Sequence, residues 1–270
     1  MTNPKNLAQT FLELHRKGKP LLLANVWDAG SARVLEAQGY EALATTSSGH
    51  AGTLGRKDGR VSRDEVLQHC REIAAATRLP VSADLESCFA QDDEGVADTI
   101  RLAGETGLAG CSIEDYEGGE VARIYPLAEA VSRVRAAVEV AHGAANLIVT
   151  ARAENHIRGV DDLSDTIERL QSYQEAGADV VYAPGLADLA EIRRVVEALD
   201  APVNVLCRPG APTVQELASV GVARVSVGGA FYYAALGALA NAAREWREEG
   251  THEFWQSAVA GIKAGTKAFD

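Results

Sequence analysis

Strand alternation puts an unusual set of polar residues on one side of their strands. In Val81-Ser82-Ala83-Asp84-Leu85-Glu86 the apolar residues Val81, Ala83 and Leu85 alternate with Ser82, Asp84 and Glu86. Residues i and i+2 of a strand face the same way, so Asp84 and Glu86 share a side. By the same logic Thr150, Arg152 and Glu154 oppose Leu147, Val149, Ala151 and Ala153. Ser112 and Glu114 oppose Cys111 and Ile113, and Asn204 stands between Val203 and Val205. Carboxylates such as Asp84, Glu86 and Glu114, about 4 Å apart at an effective dielectric near 20, repel by several kcal/mol. Protons or a cation must relieve them. All-oxygen donors favour a hard ion, Mg²⁺ or Mn²⁺, which keeps waters and accepts substrate oxygens. Arg152 adds a fixed positive charge suited to a substrate carboxylate. A metal plus an arginine can grip an α-oxo acid and stabilise an enolate.

The elements that must position these residues repeat along the chain. Short apolar runs at 21–26, 42–46, 81–85, 110–113, 147–151, 180–183, 203–206 and 224–227 read as buried parallel strands. Amphipathic stretches lie between them, such as Leu127, Val131, Val134 and Val138 at helical spacing. Ser62-Arg63-Asp64-Glu65 and Thr213-Val214-Gln215-Glu216 read as capping boxes, and Gly39, Gly107, Gly177 and Gly221 as helix stops. Eight strand–helix units predict a (β/α)₈ barrel, whose active site lies at the C-terminal ends of its strands. A doubly wound sheet is the rival, but Trp27-Asp28-Ala29-Gly30-Ser31 after the first strand carries no G-x-G-x-x-G. The expectation is one α/β barrel domain over 1–270, with a leading helix over 3–17. A helical tail follows from about 244 to 270, whose Trp246, Phe254 and Trp255 must pack on the barrel floor or a neighbouring subunit.

Composition narrows the function classes. The 270 residues carry 26 Lys and Arg against 38 Asp and Glu, a net charge of −12 that disfavours nucleic acid as a partner. Cys70, Cys88, Cys111 and Cys207 form no Cys-x-x-Cys pair and fit reduced thiols of a cytoplasm. No apolar run approaches the roughly 20 residues of a membrane span, and the N-terminus lacks a signal-peptide stretch.

Each polar residue also has a structural reading. Arg152 and Glu154 could form one structural ion pair, and Asp28 could cap the helix starting at Ala29 rather than touch substrate. Thr45-Thr46-Ser47-Ser48-Gly49-His50 could be a plain loop or an anion-binding one. His50 and His156, near the mouth, are weaker candidates for a functional role. Val227-Gly228-Gly229-Ala230 could be a phosphate-binding corner. The convergence of four strands is harder to explain structurally than any one residue.

With those residues in place, the chain resembles the isocitrate lyase/phosphoenolpyruvate mutase superfamily. The landmarks are Thr46-Ser47-Ser48-Gly49, Leu54-Gly55-Arg56-Lys57-Asp58-Gly59, Ser82-Ala83-Asp84-Leu85-Glu86, Ser112-Ile113-Glu114-Asp115 and Thr150-Ala151-Arg152-Ala153-Glu154, in that order. The resemblance implies a modified TIM barrel, Mg²⁺ (or Mn²⁺), and cleavage of a C–C or C–P bond beside a small α-oxo or 2-hydroxy acid through an enolate. It also implies a homotetramer or homodimer with an exchanged C-terminal helix. Asp84 is then the principal metal ligand, with Asp58, Glu86 and Glu114 water-linked around it. Ser47, Ser48, Gly49, Arg152 and Asn204 hold the substrate, and Arg152 and Glu114 serve the chemistry.

The departures point away from a typical isocitrate lyase. The lyases' Cys-Gly-His lid is replaced by Tyr116-Glu117-Gly118-Gly119-Glu120-Val121-Ala122-Arg123, and their glutamate after strand six falls near Pro184. The Asp-x-Asp-Thr-Gly-Tyr-Gly segment reads Asp84-Leu85-Glu86-Ser87-Cys88-Phe89-Ala90. Cys88 could replace the lost acid, or be a small apolar filler. The expected function is a metal-dependent lyase. The alternatives are a non-catalytic α-oxo-acid binder and a phosphonopyruvate- or oxaloacetate-type hydrolase or decarboxylase.

Overall fold

The computed structural model describes residues 4–118 and 122–269. The segment 116–123, expected to stand in place of the lyases' lid, includes Gly119, Glu120 and Val121, which lie outside the described residues.

Eight strands close into a parallel barrel: β1 (Leu21–Val26), β2 (Leu43–Thr45), β3 (Val81–Asp84), β4 (Gly110–Glu114), β5 (Ile148–Arg152), β6 (Val180–Tyr182), β7 (Val203–Leu206) and β8 (Arg224–Ser226). Around the barrel the order is β1-β8-β7-β6-β5-β4-β3-β2, every neighbouring pair parallel. Each expected strand exists, with its ends moved by one residue at most. The chain therefore has the (β/α)₈ architecture.

The helices begin where side chains satisfy their first amide groups. Asp28 caps α2 (Ala29–Ala37), Thr46 caps α3 (Ser47–Thr53), and Asp92 caps α5 (Asp93–Gly104). Ser62 and Glu65 open α4 (Arg63–Ala76), with Glu65 Oε2 accepting from the Ser62 amide at 3.0 Å and its hydroxyl at 2.7 Å. Helices α6 (Leu127–Val140), α7 (Leu163–Glu175), α8 (Leu189–Glu197) and α9 (Val214–Ser219) complete the outer layer. At the end of α7, Gly177 takes φ 102°, and a Cβ there would lie 2.8 Å from Val138 Cγ1, so only glycine makes the stop. Two features escaped the strand–helix pattern. A π-helical turn over Ala141–Ala145 follows α6, and a short hairpin pairs Tyr116–Glu117 with Arg123–Ile124.

The main core lies between the strands and the surrounding helices. A second cluster sits at the N-terminal end of the barrel, where Phe11 of α1 (Pro4–Glu13) packs against Leu21, Leu23, Ala44, Ile148 and Val180. Helix α1 thus plugs the floor. That excludes the floor as the seat of the C-terminal helices. α11 (Trp255–Ala268) instead lies beside α2, and neither it nor α10 (Ala230–Glu248) has a buried residue. Leu239, Trp246 and Ile262 are more than half exposed, and so is Trp255; Leu22, on the outward side of β1, is 46% exposed. No helix among the described residues is long and apolar enough to cross a membrane.

Candidate active site

Strand register decides which side chains meet at the mouth. Glu114 of β4 lies opposite Arg152 of β5, and Asp84 of β3 opposite Ser112 of β4. Arg152 Nη1 donates to Asp84 Oδ1 at 3.1 Å, and Nη2 lies 3.1 Å from Glu114 Oε2. Nε and Nη2 both donate to Glu154 Oε1, at 3.0 and 2.8 Å. The guanidinium carbon stands 5.3 Å from the ring centre of Tyr182, its register partner on β6. Arg158, from a 3₁₀ turn at His156–Arg158, approaches Glu154 Oε2 at 3.0 Å and Glu114 Oε1 at 3.7 Å.

Burying Glu154 completely costs several kcal/mol unless partners compensate, and here two arginines do. Its amide also donates to Asp115 Oδ1 at 2.8 Å; Asp115 in turn accepts from Tyr173 Oη at 2.5 Å and Arg169 Nη1 at 3.1 Å. A fixed network behind the mouth thereby orients the groups in front of it.

Asp84 is the hub on the other side. Its Oδ2 accepts from the Ser47 amide at 3.3 Å, its Oδ1 from Ser112 Oγ at 3.5 Å, and its own amide donates to Thr45 Oγ1 at 2.9 Å. Burial and the neighbouring Asp84 push the Asp58 carboxyl up, and burial, Asp84 and Asp58 push Glu86 up to about 8. Burial also raises Glu114, against the pull of Arg152. Five carboxylates (Asp58, Asp84, Glu86, Glu114, Glu154) line these cavities against Arg152 and Arg158, with the buried Arg224 farther below. The loop that carries Glu86 is strained: Glu86, Cys88 and Phe89 hold φ of 50°, 61° and 55°. Such left-handed non-glycine residues cost about 1–3 kcal/mol each and gather at functional sites.

Among the described residues no three His, Cys, Asp or Glu side chains form a group that could hold an ion alone. Mg²⁺ usually takes only one or two carboxylates and keeps its waters. An oxygen-only donor set with excess negative charge, centred on Asp84, fits an ion of that kind.

A cavity of about 200 Å³ runs from this mouth into the barrel. A second, of about 340 Å³, adjoins it on the side of Glu86 and Glu114, and Ser47, Asp58 and Arg152 line both. Asp84, Ser48 and Asn204 line the first. Gly49 lines neither: a Cβ there would come within 2.6 Å of Thr46 Cγ2 and 3.1 Å of Trp27 Cβ, so close packing explains the glycine. The stretch 45–50, read as a loop, is the last residue of β2, the Thr46 cap and the first turn of α3.

Other residues resolve structurally. Asp28 Oδ1 accepts from the Ser31 amide at 2.6 Å and caps α2. His50 stacks on His69 with ring centres 3.8 Å apart, and His156 Nδ1 lies 3.3 Å from Asp161. Cys88 is buried and its thiol pushed up to about 12, so it is a filler rather than an acid at neutral pH. The Val227 and Gly228 amides donate to Asn25 Oδ1 at 3.1 and 2.9 Å, so these two are already taken, while Gly228 and Gly229 line the first cavity. The site members absent from the sequence-based set are Glu154, Arg158, Asn25, Tyr182 and Arg224. Alternation already faced Glu154 inward, and Arg224 and Ser226 alternate with Val225 and Val227.

The sequence matches the phosphoenolpyruvate phosphomutase family over residues 11–247, and the chain belongs to that family, within the phosphoenolpyruvate mutase/isocitrate lyase superfamily. An uncharacterized Mycobacterium tuberculosis protein is 33% identical over 87% of this chain and 88% of its own. The 2-methylisocitrate lyase of Escherichia coli is 31% identical over 69% of this chain and 65% of its own. An oxaloacetate decarboxylase of Chromohalobacter salexigens is 29% identical over 94% and 90%. A Burkholderia cenocepacia crystal structure, described as that of a candidate lyase/mutase, superposes with a TM-score of 0.92. It is 46% identical and covers 97% of this chain and 95% of that one.

Proposed function

We propose that the protein is a Mg²⁺-dependent carbon–carbon lyase of a small acid. It breaks either a bond at the carbon next to the oxo carbon of an α-oxo acid or the bond at the hydroxyl-bearing carbon of a 2-hydroxy acid, so that the electron pair is left as an enolate. The observation that carries this reading is the buried Arg152 guanidinium among Asp84, Glu114 and Glu154, at the open end of a cavity of about 200 Å³. Pockets for drug-sized ligands measure roughly 300–1,000 Å³, so the substrate is a small acid.

Asp84 would hold the ion, with Asp58, Glu86 and Glu114 linked through water. Such an ion supplies positive charge to an oxo oxygen and to the enolate that develops from it. Arg152 pairs with the substrate carboxylate and fixes its orientation. Ser47, Ser48 and Asn204 donate hydrogen bonds to the remaining oxygens. Glu114, whose carboxyl burial holds toward the protonated form, is placed beside Arg152 to carry a proton.

Within this class, loss of CO₂ from an oxaloacetate-type acid asks least of the protein. The enolate needs only a proton returned to carbon, whereas retro-aldol cleavage also needs a hydroxyl proton removed. The segment 116–123 contains neither Cys nor His, which favours the less demanding reaction. The oxaloacetate decarboxylase relative supports the same direction.

The test is product release from a panel of oxaloacetate, 2-methylisocitrate and phosphonopyruvate, with Mg²⁺ or EDTA and with protein-free controls. The expected result is pyruvate from at least one acid, reduced more than about 100-fold by EDTA or by Asp84→Ala. Activity that survives both treatments overturns the metal role. Oxalate binding in calorimetry with no turnover on any acid would make the protein a binder instead. The exposed apolar faces of α10, α11 and Leu22 support a further proposal, assembly into a homodimer or homotetramer through the C-terminal helices. A monomer in light scattering at micromolar concentration rejects it.

A further inference from the structure

Barrel order sets two walls on either side of Arg152. Asp84 of β3 and Glu114 of β4 stand on one, and Tyr182 of β6, Asn204 of β7 and Ser226 of β8 on the other. The cation donors Asp58, Asp84, Glu86 and Glu114 all belong to the first side. An enolate carbon bears a carboxylate, an oxygen and the carbon that takes the proton. With the carboxylate at Arg152 and the oxygen on the donor side, that third arm points to the second wall. Of the side chains lining the first cavity from β6 to β8, among the described residues, only Tyr182 and Arg224 can titrate. Arg224 is buried deeper, where Nη1 and Nη2 donate to Thr150 Oγ1, both at 3.2 Å, and Nη1 also meets His15 Nε2 at 3.2 Å. His15 Nδ1 lies 2.8 Å from the Phe11 carbonyl, so Nδ1 carries the hydrogen and Nε2 accepts. Burial and the neighbouring Arg224 push His15 down to about 3, which keeps it neutral. A guanidinium does not give up its proton, which leaves Tyr182.

Tyr182 is buried, and its ring centre lies 5.3 Å from the Arg152 guanidinium carbon. Ser226 Oγ accepts from Asn204 Nδ2 at 3.0 Å and shares a hydrogen bond with the phenol. The Ser226 hydrogen then goes to the phenol oxygen, and the phenol's own hydrogen is left for the cavity. Burial pushes the phenol up to about 12, against the pull of Arg152, so it is protonated at neutral pH. The same arginine and hydroxyl steady a phenolate once the proton has gone.

We propose that Tyr182 is the catalytic acid that delivers a proton to the enolate carbon. The step rests on the proposed enolate chemistry and supplies the acid that the segment 116–123 lacks. The bond to the departing carboxylate breaks, and its electron pair becomes the enolate. The Tyr182 O–H bond then breaks as the new C–H bond forms, and the O–H pair stays on the phenolate oxygen. Water entering through the mouth reprotonates the phenolate, and the hydroxide left over combines with carbon dioxide as bicarbonate. Glu114 faces the other side of the ligand and serves its oxygen.

The test follows both products of oxaloacetate cleavage by the full chain in Mg²⁺ buffer. Carbon dioxide is measured directly, and pyruvate through lactate dehydrogenase, which reads only the keto form. In the wild type the two should appear together. Tyr182→Phe should release carbon dioxide within about tenfold of the wild-type rate while pyruvate lags, because a lost general acid slows proton transfer about 10²–10⁴-fold. Vinyl proton signals of enolpyruvate should fill the interval. Oxalate affinity by calorimetry should change less than about threefold, since Phe keeps the ring and its volume. Ser226→Ala, which removes the hydrogen bond to the phenol, should show a shorter lag of the same kind. Pyruvate and carbon dioxide in step in both variants overturn the inference and leave the proposed reaction standing. So does a loss of oxalate affinity in Tyr182→Phe that matches its loss of activity, the mark of a packing role. A wild type that releases neither product from any acid of the panel overturns the proposed reaction, and this step with it.

Discussion

Arg152 and Arg224 both project into the barrel, yet Arg152 touches three carboxylates whereas Arg224 touches a hydroxyl and a neutral imidazole. At the mouth, charge is dense and Arg152 is already paired in the free protein, so a ligand carboxylate there must exchange partners with Asp84, Glu114 or Glu154. Deeper in the barrel Arg224 is held by neutral partners, and among the described residues no carboxylate pairs with it. The two regions therefore answer differently to substitution. Mouth variants should change the reaction itself, and variants at Arg224 the stability of the barrel interior.

The largest expected effect is at the mouth. Arg152→Ala should lower kcat/KM about 10³-fold with the far-UV spectrum unchanged, since preorganised charge in a dry site is worth that much. Arg152→Lys should recover little, because a point charge cannot reproduce the fork that meets Asp84, Glu114 and Glu154 together. Recovery above a tenth of wild-type activity would show that the mouth needs only charge.

Next comes Glu154→Ala, which leaves Arg152 and Arg158 short of their buried partner. Breaking a buried pair costs about 3–5 kcal/mol, a fall in Tm of roughly 6–20 °C for a chain of this size. Urea unfolding would check it, and a loss below about 1 kcal/mol would mean that water reaches the cluster.

Mg²⁺ should then stabilise the protein by about 2.7 kcal/mol at a hundredfold excess over Kd. Asp84→Ala should lose that shift and Arg224→Met should keep it. An equal shift in Asp84→Ala would move the ion away from Asp84.

The smallest effect belongs to the neutral histidines. Burial pushes His50 down to about 4 and His15 down to about 3 in the folded chain, against a reference value of 6.5. Below pH 6.5 the unfolded chain binds more protons, so stability is full above that pH and falls as pH drops toward 4. A Tm lower by a few degrees at pH 5 than at pH 7.5 is expected, with a shallower slope in His15→Gln. A flat profile would mean that His15 and His50 take up protons in the folded chain as readily as in the unfolded one.

Much of this was legible in one dimension. Alternation in β3 and β5 faced Asp84, Arg152 and Glu154 inward, because a strand's period of two is a local property. The caps of α2 and α4 and the stop at Gly177 were equally local. Gly49 has a packing role that was not legible: its missing Cβ makes room for Thr46 and Trp27, and Trp27 lies well before it in sequence. Arg224 went unnoticed because an inward arginine gains meaning only once its partners are known, and His15 is 209 residues away.

The sequence by itself determined the eight strand–helix units, the inward face of four of the strands, the family and the cluster of acidic residues at the strand ends. The tertiary structure alone decided which of those residues meet. Barrel strands tilt to the axis, so the register row from Arg152 through Tyr182 and Asn204 to Arg224 descends from mouth to floor. That descent places one arginine among acids and leaves the other, three strands on, in a sealed chamber with none. Pairwise register is a long-range property fixed by how the whole barrel closes, and no local run of residues encodes it.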